Sequence, residues 1–91
     1  MTQHTADDTD PMLRAVLRDV LGLDAARAAA LGPNSGLFGA LPELDSMAVA
    51  GLFTELEDRF GFMIDDDEVD GDLLETFGSL LAFTQAKRAA A

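Results

Sequence analysis

Residues 45–61 read Asp-Ser-Met-Ala-Val-Ala-Gly-Leu-Phe-Thr-Glu-Leu-Glu-Asp-Arg-Phe-Gly, and this segment sets the architecture of the chain. Asp45 is a favourable N-cap residue at one end, and Gly61 is a favourable C-terminal stop at the other. Between them, apolar residues recur at i, i+3, i+4, i+7 and i+11, which is typical of one buried helix face: Val49, Leu52, Phe53, Leu56 and Phe60. The segment therefore predicts a long helix that packs against a core by one face.

A second amphipathic helix is predicted upstream, from Pro11 to Gly22. Proline is favoured at the first helical position and glycine just beyond the last, so Thr9 or Asp10 is the expected N-cap. Four apolar residues of this segment share one helix face: Leu13, Val16, Leu17 and Val20. The two helices thus supply two apolar faces for a common core.

The connection between these helices contains a short alanine-rich turn and then a long loop. Asp24 is expected to cap the turn at residues 25–31, and residues 32–45 are rich in glycine and proline. The loop nevertheless holds four large apolar residues, which indicates that it packs on the core: Leu37, Phe38, Leu41 and Leu44.

The C-terminal third predicts one short helix and one main helix. Residues 65–72 are densely acidic, and we expect a short irregular helix there that carries Val69 with Leu73 and Leu74. Thr76 is expected to cap the last helix, whose inner face holds Phe77, Leu80, Leu81 and Thr84 and whose end holds Lys87 and Arg88. No alternating run of β-branched residues suggests a sheet. The fold class is therefore predicted as all-α: a four-helix bundle of three main helices and one short one, with a long first loop.

The length of the chain indicates how many domains it has, and its net charge indicates which molecules it can bind. A chain of 91 residues predicts a single domain, and seventeen acidic against six basic residues give a net charge of −11. Residues 43–75 hold twelve of the acidic residues and one basic residue. This charge argues against nucleic acid and anionic membranes as partners and favours proteins with a basic docking patch. We expect a cytoplasmic protein, since neither a secretory signal nor a membrane span is recognisable. We also expect it to be a monomer.

The residues that enzymes and metal sites need are scarce. The chain has no cysteine and a single histidine, His4, so neither a nucleophile–histidine arrangement nor a zinc site is expected. The acidic run fails as a calcium loop, because with Gly71 at the sixth position the twelfth is Phe77 rather than glutamate. We therefore expect no catalytic residue and no metal.

Ser46 is the polar residue that invites a chemical interpretation. A serine directly after an acidic cap places its hydroxyl beside free backbone N–H groups and the positive end of the helix dipole, which suits a phosphate ester. The alternative is a plain capping pair formed by Asp45 or Ser46. Local physics alone favours that alternative, since such caps occur at many helix starts.

The sequence around Ser46 favours the phosphate-ester interpretation over simple capping. Residues 45–47, Asp-Ser-Met, resemble the Asp-Ser-Leu motif of acyl carrier proteins, and the similarity extends over about residues 12–86. Phe60 lies fourteen residues after the serine, and Phe38 lies eight residues before it, as is common in that family. Residues 62–68 also resemble the stretch in which members of that family have an isoleucine followed by acidic residues.

The resemblance implies a carrier rather than an enzyme. A phosphopantetheinyl transferase would attach 4′-phosphopantetheine from coenzyme A to Ser46, with Asp45 as part of the flanking motif. The arm's thiol would hold an acyl group as a thioester and present it to an acyl ligase, synthase or acyltransferase with a basic docking patch. On this interpretation residues 11–86 form the carrier domain, residues 1–10 a disordered acidic tail and residues 87–91 a short C-terminal tail.

Three departures from the family pattern suggest a specialised pathway. Glu43 replaces a frequent glycine, and Ala48 and Gly51 replace acids that are usual on the outer face of the helix. Residues 41–49 resemble carriers of exopolysaccharide and exosortase systems rather than those of housekeeping fatty-acid synthesis. The expected partner surface combines an apolar patch near the serine with acids at the far end of the helix: Met47, Ala48, Ala50 and Gly51, then Glu55, Glu57 and Asp58.

Two other functions remain open at this point. One is a peptidyl or aminoacyl carrier, which would use the same serine and arm. The other is an acidic helical interaction module without a prosthetic group. Ser46 separates the carriers from the module, because only a carrier needs its hydroxyl.

Overall fold

A computed structural model describes residues 8–90 as a bundle of four α-helices. They are α1 (Thr9–Leu21), α2 (Ala25–Ala30), α3 (Ser46–Phe60) and α4 (Phe77–Ala90), and one 3-10 turn at Asp66–Glu68 precedes α4. Over these residues no strand is present beyond an isolated bridge between Gly36 and Thr76. The predicted all-α bundle, with three main helices and a long first loop, is confirmed.

Helix α1 lies at the centre of the bundle and contacts α2, α3 and α4. The predicted stripe of α3 faces it, with Leu52 and Leu56 fully buried. The other three stripe residues lie at the edges of the core and are partly buried: Val49, Phe53 and Phe60. Leucine supplies most of the interior, together with Val16 of α1 and Phe77 of α4.

The helix ends were predicted well where glycine sets them and less well at the start of α1. Gly22 and Gly61 follow α1 and α3 in the left-handed conformation, at φ 71° and 73°, as expected. The prediction of Thr9 or Asp10 as the N-cap of α1 is wrong, because the helix already begins at Thr9 and Asp8 occupies the N-cap position. The Thr9 hydroxyl is buried and accepts a hydrogen bond from Arg88 at 2.9 Å, a tertiary contact that local sequence does not reveal.

The long loop packs on the core with one exception. Leu37 and Leu44 are buried and Leu41 is partly buried, which confirms the packed loop. Phe38 was predicted to lie with them, but its side chain is 52% exposed. That prediction is wrong because the backbone of the loop turns Leu37 inward, and the residue beside it then faces outward.

Backbone hydrogen bonds attach the loop to the start of α4. The N–H groups of Leu37 and Phe38 donate to the carbonyls of Glu75 and Leu74, at 3.1 and 2.9 Å. In return, Phe77 donates to the Ser35 carbonyl and Gly78 to the Pro33 carbonyl, at 2.8 and 2.9 Å. The first N–H groups of α4, which have no partner within the helix, are thereby satisfied.

The acidic region is less helical than predicted. The irregular helix expected at residues 65–72 is only a single 3-10 turn, followed by a turn that buries Leu73 and Leu74 and leaves Val69 exposed. Thr76 caps α4 as expected, since its hydroxyl accepts the Ser79 N–H at 3.0 Å.

The helices reach into both segments that were expected to be tails, since α1 includes Thr9 and Asp10 and α4 includes residues 87–90. Helix α4 continues through Lys87 and Arg88 to Ala90, so the described part of the expected C-terminal tail is helical. Residues 1–7 of the expected N-terminal tail, including His4, lie outside the described residues. Within residues 8–90, none of the helices combines the length and apolar character that a membrane span requires.

Candidate functional site

Ser46 is the first residue of α3, and its side chain is exposed. The preceding residue, Asp45, has an extended backbone, and its carboxylate accepts the N–H of Ala48 at 2.9 Å. Asp45 therefore performs the capping, and the Ser46 hydroxyl makes no hydrogen bond to any residue between 8 and 90. Of the two capping alternatives, the structure uses Asp45, and capping leaves the serine hydroxyl unexplained.

The surroundings of Ser46 fit a phosphate ester with a long substituent. The hydroxyl lies at the end of a fifteen-residue helix, where free N–H groups and the helix dipole favour negative charge. The neighbouring residues are exposed and either small or flexible: Met47, Ala50 and Gly51.

Residues 41–45 lead the chain into α3, and we call them the approach segment. Leu44 is buried and donates its N–H to the Leu41 carbonyl at 3.0 Å. Glu43, on the other side of the segment, forms an ion pair with Arg27 of α2. The hydrogen bonds from Arg27 lower the pKa of Glu43 below its ordinary value.

An apolar cleft of about 210 Å³ lies beside the first turns of α3. It is lined by Phe38, Val49, Asp70, Gly71 and Leu74. Sequence reasoning missed this cleft, because Phe38 was expected in the core and residues 70–71 were considered only as part of an acidic run. Gly39, which follows Phe38 with a φ of 91°, was the available signal that the chain turns at this point.

The predicted partner-binding residues fall into two groups. Those next to Ser46 form an accessible patch: Met47 is 86% exposed, Ala50 and Gly51 are exposed, and Ala48 is half-buried. This patch is apolar, as expected from the residues at positions 48 and 51.

The acids at the far end of α3 differ from one another. Glu55 accepts a hydrogen bond from Arg59 at 2.8 Å, and Arg59 also pairs with Asp19 of α1 at 2.7 Å. Glu57 accepts the Ile64 N–H at 2.8 Å. Asp58 is exposed and pairs with no residue of the described part of the chain. Two of the three acids therefore already have intramolecular roles.

Several acids of residues 65–75 also have structural roles. Asp65 and Glu68 form a capping box at the 3-10 turn, and Glu68 pairs with Lys87 of α4 at 2.9 Å. Asp70 accepts the N–H groups of Asp72 and Leu73. Between residues 8 and 90, no cluster of acidic or histidine side chains is arranged to hold a metal ion.

Comparisons with known proteins agree with this geometry. The family model described as "phosphopantetheine attachment site" matches residues 12–84. A solution NMR structure of a holo acyl carrier protein from Nitrosomonas europaea is similar to the chain, with a TM-score of 0.80 and 43% sequence identity over 89% of this chain and 95% of that chain. No curated protein matches the chain significantly.

The family match spans most of the helical bundle, and the similar structure covers 89% of the chain. Proteins of this family work with phosphopantetheinyl transferases and biosynthetic enzymes, and the reactive thiol belongs to the prosthetic group. That agrees with a chain that has no cysteine. The chain belongs to the acyl carrier protein family, and it is a carrier, not an enzyme, with 4′-phosphopantetheine as its covalent cofactor.

Proposed function

We propose that Ser46 is the residue that bears 4′-phosphopantetheine and that the protein carries acyl groups for a specialised biosynthetic pathway. The observation that supports this most is that the first helical residue of α3 is not needed to cap the helix. Asp45 caps the helix, while the Ser46 hydroxyl stays exposed and free of hydrogen bonds within residues 8–90.

The residues around Ser46 have separate tasks in this proposal. In the transfer, Ser46 Oγ would attack the phosphorus of coenzyme A that carries the pantetheine. The phosphoanhydride bond would break, adenosine 3′,5′-bisphosphate would leave, and the hydroxyl proton would be lost to the transferase, which gives a phosphodiester at Ser46. The N-terminal N–H groups of α3 then lie next to the phosphodiester, whose charge they stabilise. The arm supplies a thiol that holds the acyl group as a thioester.

The surface next to Ser46 supports a specialised pathway over housekeeping fatty-acid synthesis. Positions 48 and 51 carry no charge, and Met47 adds exposed apolar area. Farther along α3, Glu55 and Glu57 are engaged within the protein, which leaves Asp58 as the most available acid. A partner enzyme that matches this surface would place apolar residues against the patch near Ser46 and basic residues near Asp58, farther along α3. We propose an exopolysaccharide or exosortase-associated pathway in the cytoplasm, with the protein as a monomer.

The test is in-vitro labelling. Wild-type protein is incubated with coenzyme A, magnesium and a broad-specificity phosphopantetheinyl transferase, and intact mass is measured. One phosphopantetheine is expected on wild type and none on Ser46→Ala.

Two other serines provide matched controls, because each hydroxyl is already hydrogen-bonded. Ser35 Oγ accepts the Gly32 N–H at 2.8 Å, and Ser79 Oγ lies 2.9 Å from Thr76 Oγ1. Ser35→Ala and Ser79→Ala should be labelled like wild type. Labelling that persists in Ser46→Ala would show that the site is elsewhere.

A further inference from the structure

The approach segment is held from two sides. On the apolar side, Leu44 is buried and Leu41 is partly buried. On the polar side, both carboxylate oxygens of Glu43 accept hydrogen bonds from the Arg27 guanidinium, and the Nη2–Oε1 distance is 3.1 Å. A two-point contact of this kind fixes orientation as well as distance, which a lysine could not do.

Helix α2, which carries Arg27, is itself fixed to the centre of the bundle. Arg14 of α1 donates to the carbonyl of Ala28 at 2.7 Å and lies over the Phe77 ring, 4.5 Å from its centroid. Asp24 caps α2 by accepting the Arg27 N–H at 2.8 Å. A continuous set of contacts therefore runs from α1 through α2 to Glu43, three residues before Ser46.

We propose that Arg27 and Glu43 are positioning residues for Ser46, whose ion pair holds the approach segment in the conformation that partner enzymes bind. This rests on the proposed attachment at Ser46. Without the pair, the segment keeps its buried leucine and its backbone hydrogen bonds but loses its polar attachment to α2. A smaller fraction of molecules then presents the serine correctly. A transferase that binds only this fraction shows a higher KM, while kcat stays the same once the carrier is bound.

The competing explanation is that Glu43 contacts the partner directly. The two explanations differ in what Arg27 does. If the pair positions Ser46, Arg27→Ala and Glu43→Ala raise KM alike, and the exchanged pair Arg27→Glu with Glu43→Arg restores it. If Glu43 contacts the partner, Arg27→Ala leaves KM unchanged or lowers it, and the exchange does not restore it.

The experiment measures kcat and KM for phosphopantetheinyl transfer to each carrier variant. We expect the single variants to raise KM about two- to fivefold, the range of an exposed ion pair, with kcat unchanged. The rise in KM caused by the single substitutions should be smaller at high salt, because the Arg27–Glu43 pair is partly exposed and salt screens it. Glu43→Gln, which keeps the side-chain shape, should lie between wild type and Glu43→Ala, and melting curves establish that each variant is folded.

The Lys87–Glu68 pair is the matched control. Its side chains are 21% and 32% exposed, against 45% and 30% for Arg27 and Glu43, and it joins the 3-10 turn to α4. Lys87 shares a surface depression with Gly61, at the opposite end of α3 from Ser46. Lys87→Ala and Glu68→Ala should lower the melting temperature without changing KM.

The outcomes separate this proposal from the proposed function. If wild type is not labelled, the assignment of Ser46 fails. If wild type is labelled but the Arg27 and Glu43 variants keep the wild-type KM, or the exchanged pair fails to restore it, the positioning role is overturned. An equal rise of KM in the Lys87–Glu68 controls would also overturn it, because the effect would then reflect general loosening of the fold.

Discussion

At the residue scale, Asp45 and Ser46 are adjacent but do different work. The carboxylate of Asp45 satisfies an N–H group in the first turn of α3, and the Ser46 hydroxyl contributes nothing to that cap. The role that we propose for Ser46 and the capping role of Asp45 can therefore be distinguished by stability measurements as well as by labelling.

Substitution of the cap should cost stability, and substitution of the serine should not. We expect Asp45→Ala to lower the free energy of unfolding by about 1 kcal/mol, the usual cost of losing an N-cap. Ser46→Ala should change it by less than about 0.5 kcal/mol, as at an exposed site without contacts. Urea unfolding of the unmodified proteins measures both. A larger loss in Ser46→Ala than in Asp45→Ala would contradict the assignment of the cap to Asp45.

Substitution of two helical glycines by alanine should have opposite effects on stability. A Cβ at Gly78 would lie 2.6 Å from the Pro33 carbonyl oxygen, whereas a Cβ at Gly51 would meet nothing within 4 Å. Gly78→Ala should therefore destabilise the protein by about 1–3 kcal/mol through overpacking. Gly51→Ala should stabilise it by about 0.5–1 kcal/mol through reduced backbone entropy.

Melting curves and urea unfolding of the two glycine variants provide the measurement. Equal effects would mean that the loop does not lie against the start of α4 as described. A destabilising Gly51→Ala would contradict the open space around this position.

At the scale of elements, the sequence predicted best where the determinants are local. The stripe of α3, its Asp45 cap and its Gly61 end all lie within one helix, so periodicity and end signals were sufficient. The exposure of Phe38 depends on hydrogen bonds between residues 37–38 and 74–75, which no local pattern contains.

The same limit applies to the candidate site. Ser46 followed from its motif and its place before the stripe. The cleft beside it and the pairing of Glu43 with Arg27 bring together residues far apart in the chain, and only the structure shows them.

Ion pairs between elements should make stability fall in acid. The pKa of Glu43 is lowered chiefly by hydrogen bonds from Arg27, and that of Glu68 chiefly by hydrogen bonds from Lys87. A carboxyl whose pKa is lower in the folded state stabilises the fold above its ordinary pKa of 4.5, and this contribution disappears as pH falls below that value.

The measurement is the melting temperature as a function of pH between neutral and about pH 3.5. Wild type should lose stability below about pH 4.5, and Glu43→Gln with Glu68→Gln should lose less over the same interval. Curves that fall in parallel for wild type and the double variant would show that these two pairs do not contribute.

At the scale of the whole molecule, charge is distributed unevenly around the site. The net charge is −11, yet the patch next to Ser46 is apolar and two acids of α3 are engaged internally. Partner choice is a difference of affinities, so a helix without acids at positions 48 and 51 disfavours partners that depend on acids there.

Restored acids should therefore change partner preference. Ala48→Asp with Gly51→Glu should improve loading by a fatty-acid-type acyltransferase several-fold, since each exposed charge pair contributes about 0.2–1 kcal/mol. The same change should weaken use by the protein's own partner. Ala48→Asn with Gly51→Gln is the control, because it adds similar side chains without charge. If kcat/KM changes equally in both double variants, charge does not govern partner choice here.

The central claim is that Ser46 carries a phosphopantetheine arm loaded with an acyl group. The most direct measurement is the intact mass of wild-type protein and Ser46→Ala isolated from the native host, with fragmentation to locate the modification. We expect an arm with an acyl group on Ser46 of wild type and no modification of Ser46→Ala. An aminoacyl or peptidyl group on the arm would make the protein a carrier of another class. An unmodified wild-type protein, or an arm on another residue, would contradict the assignment of Ser46.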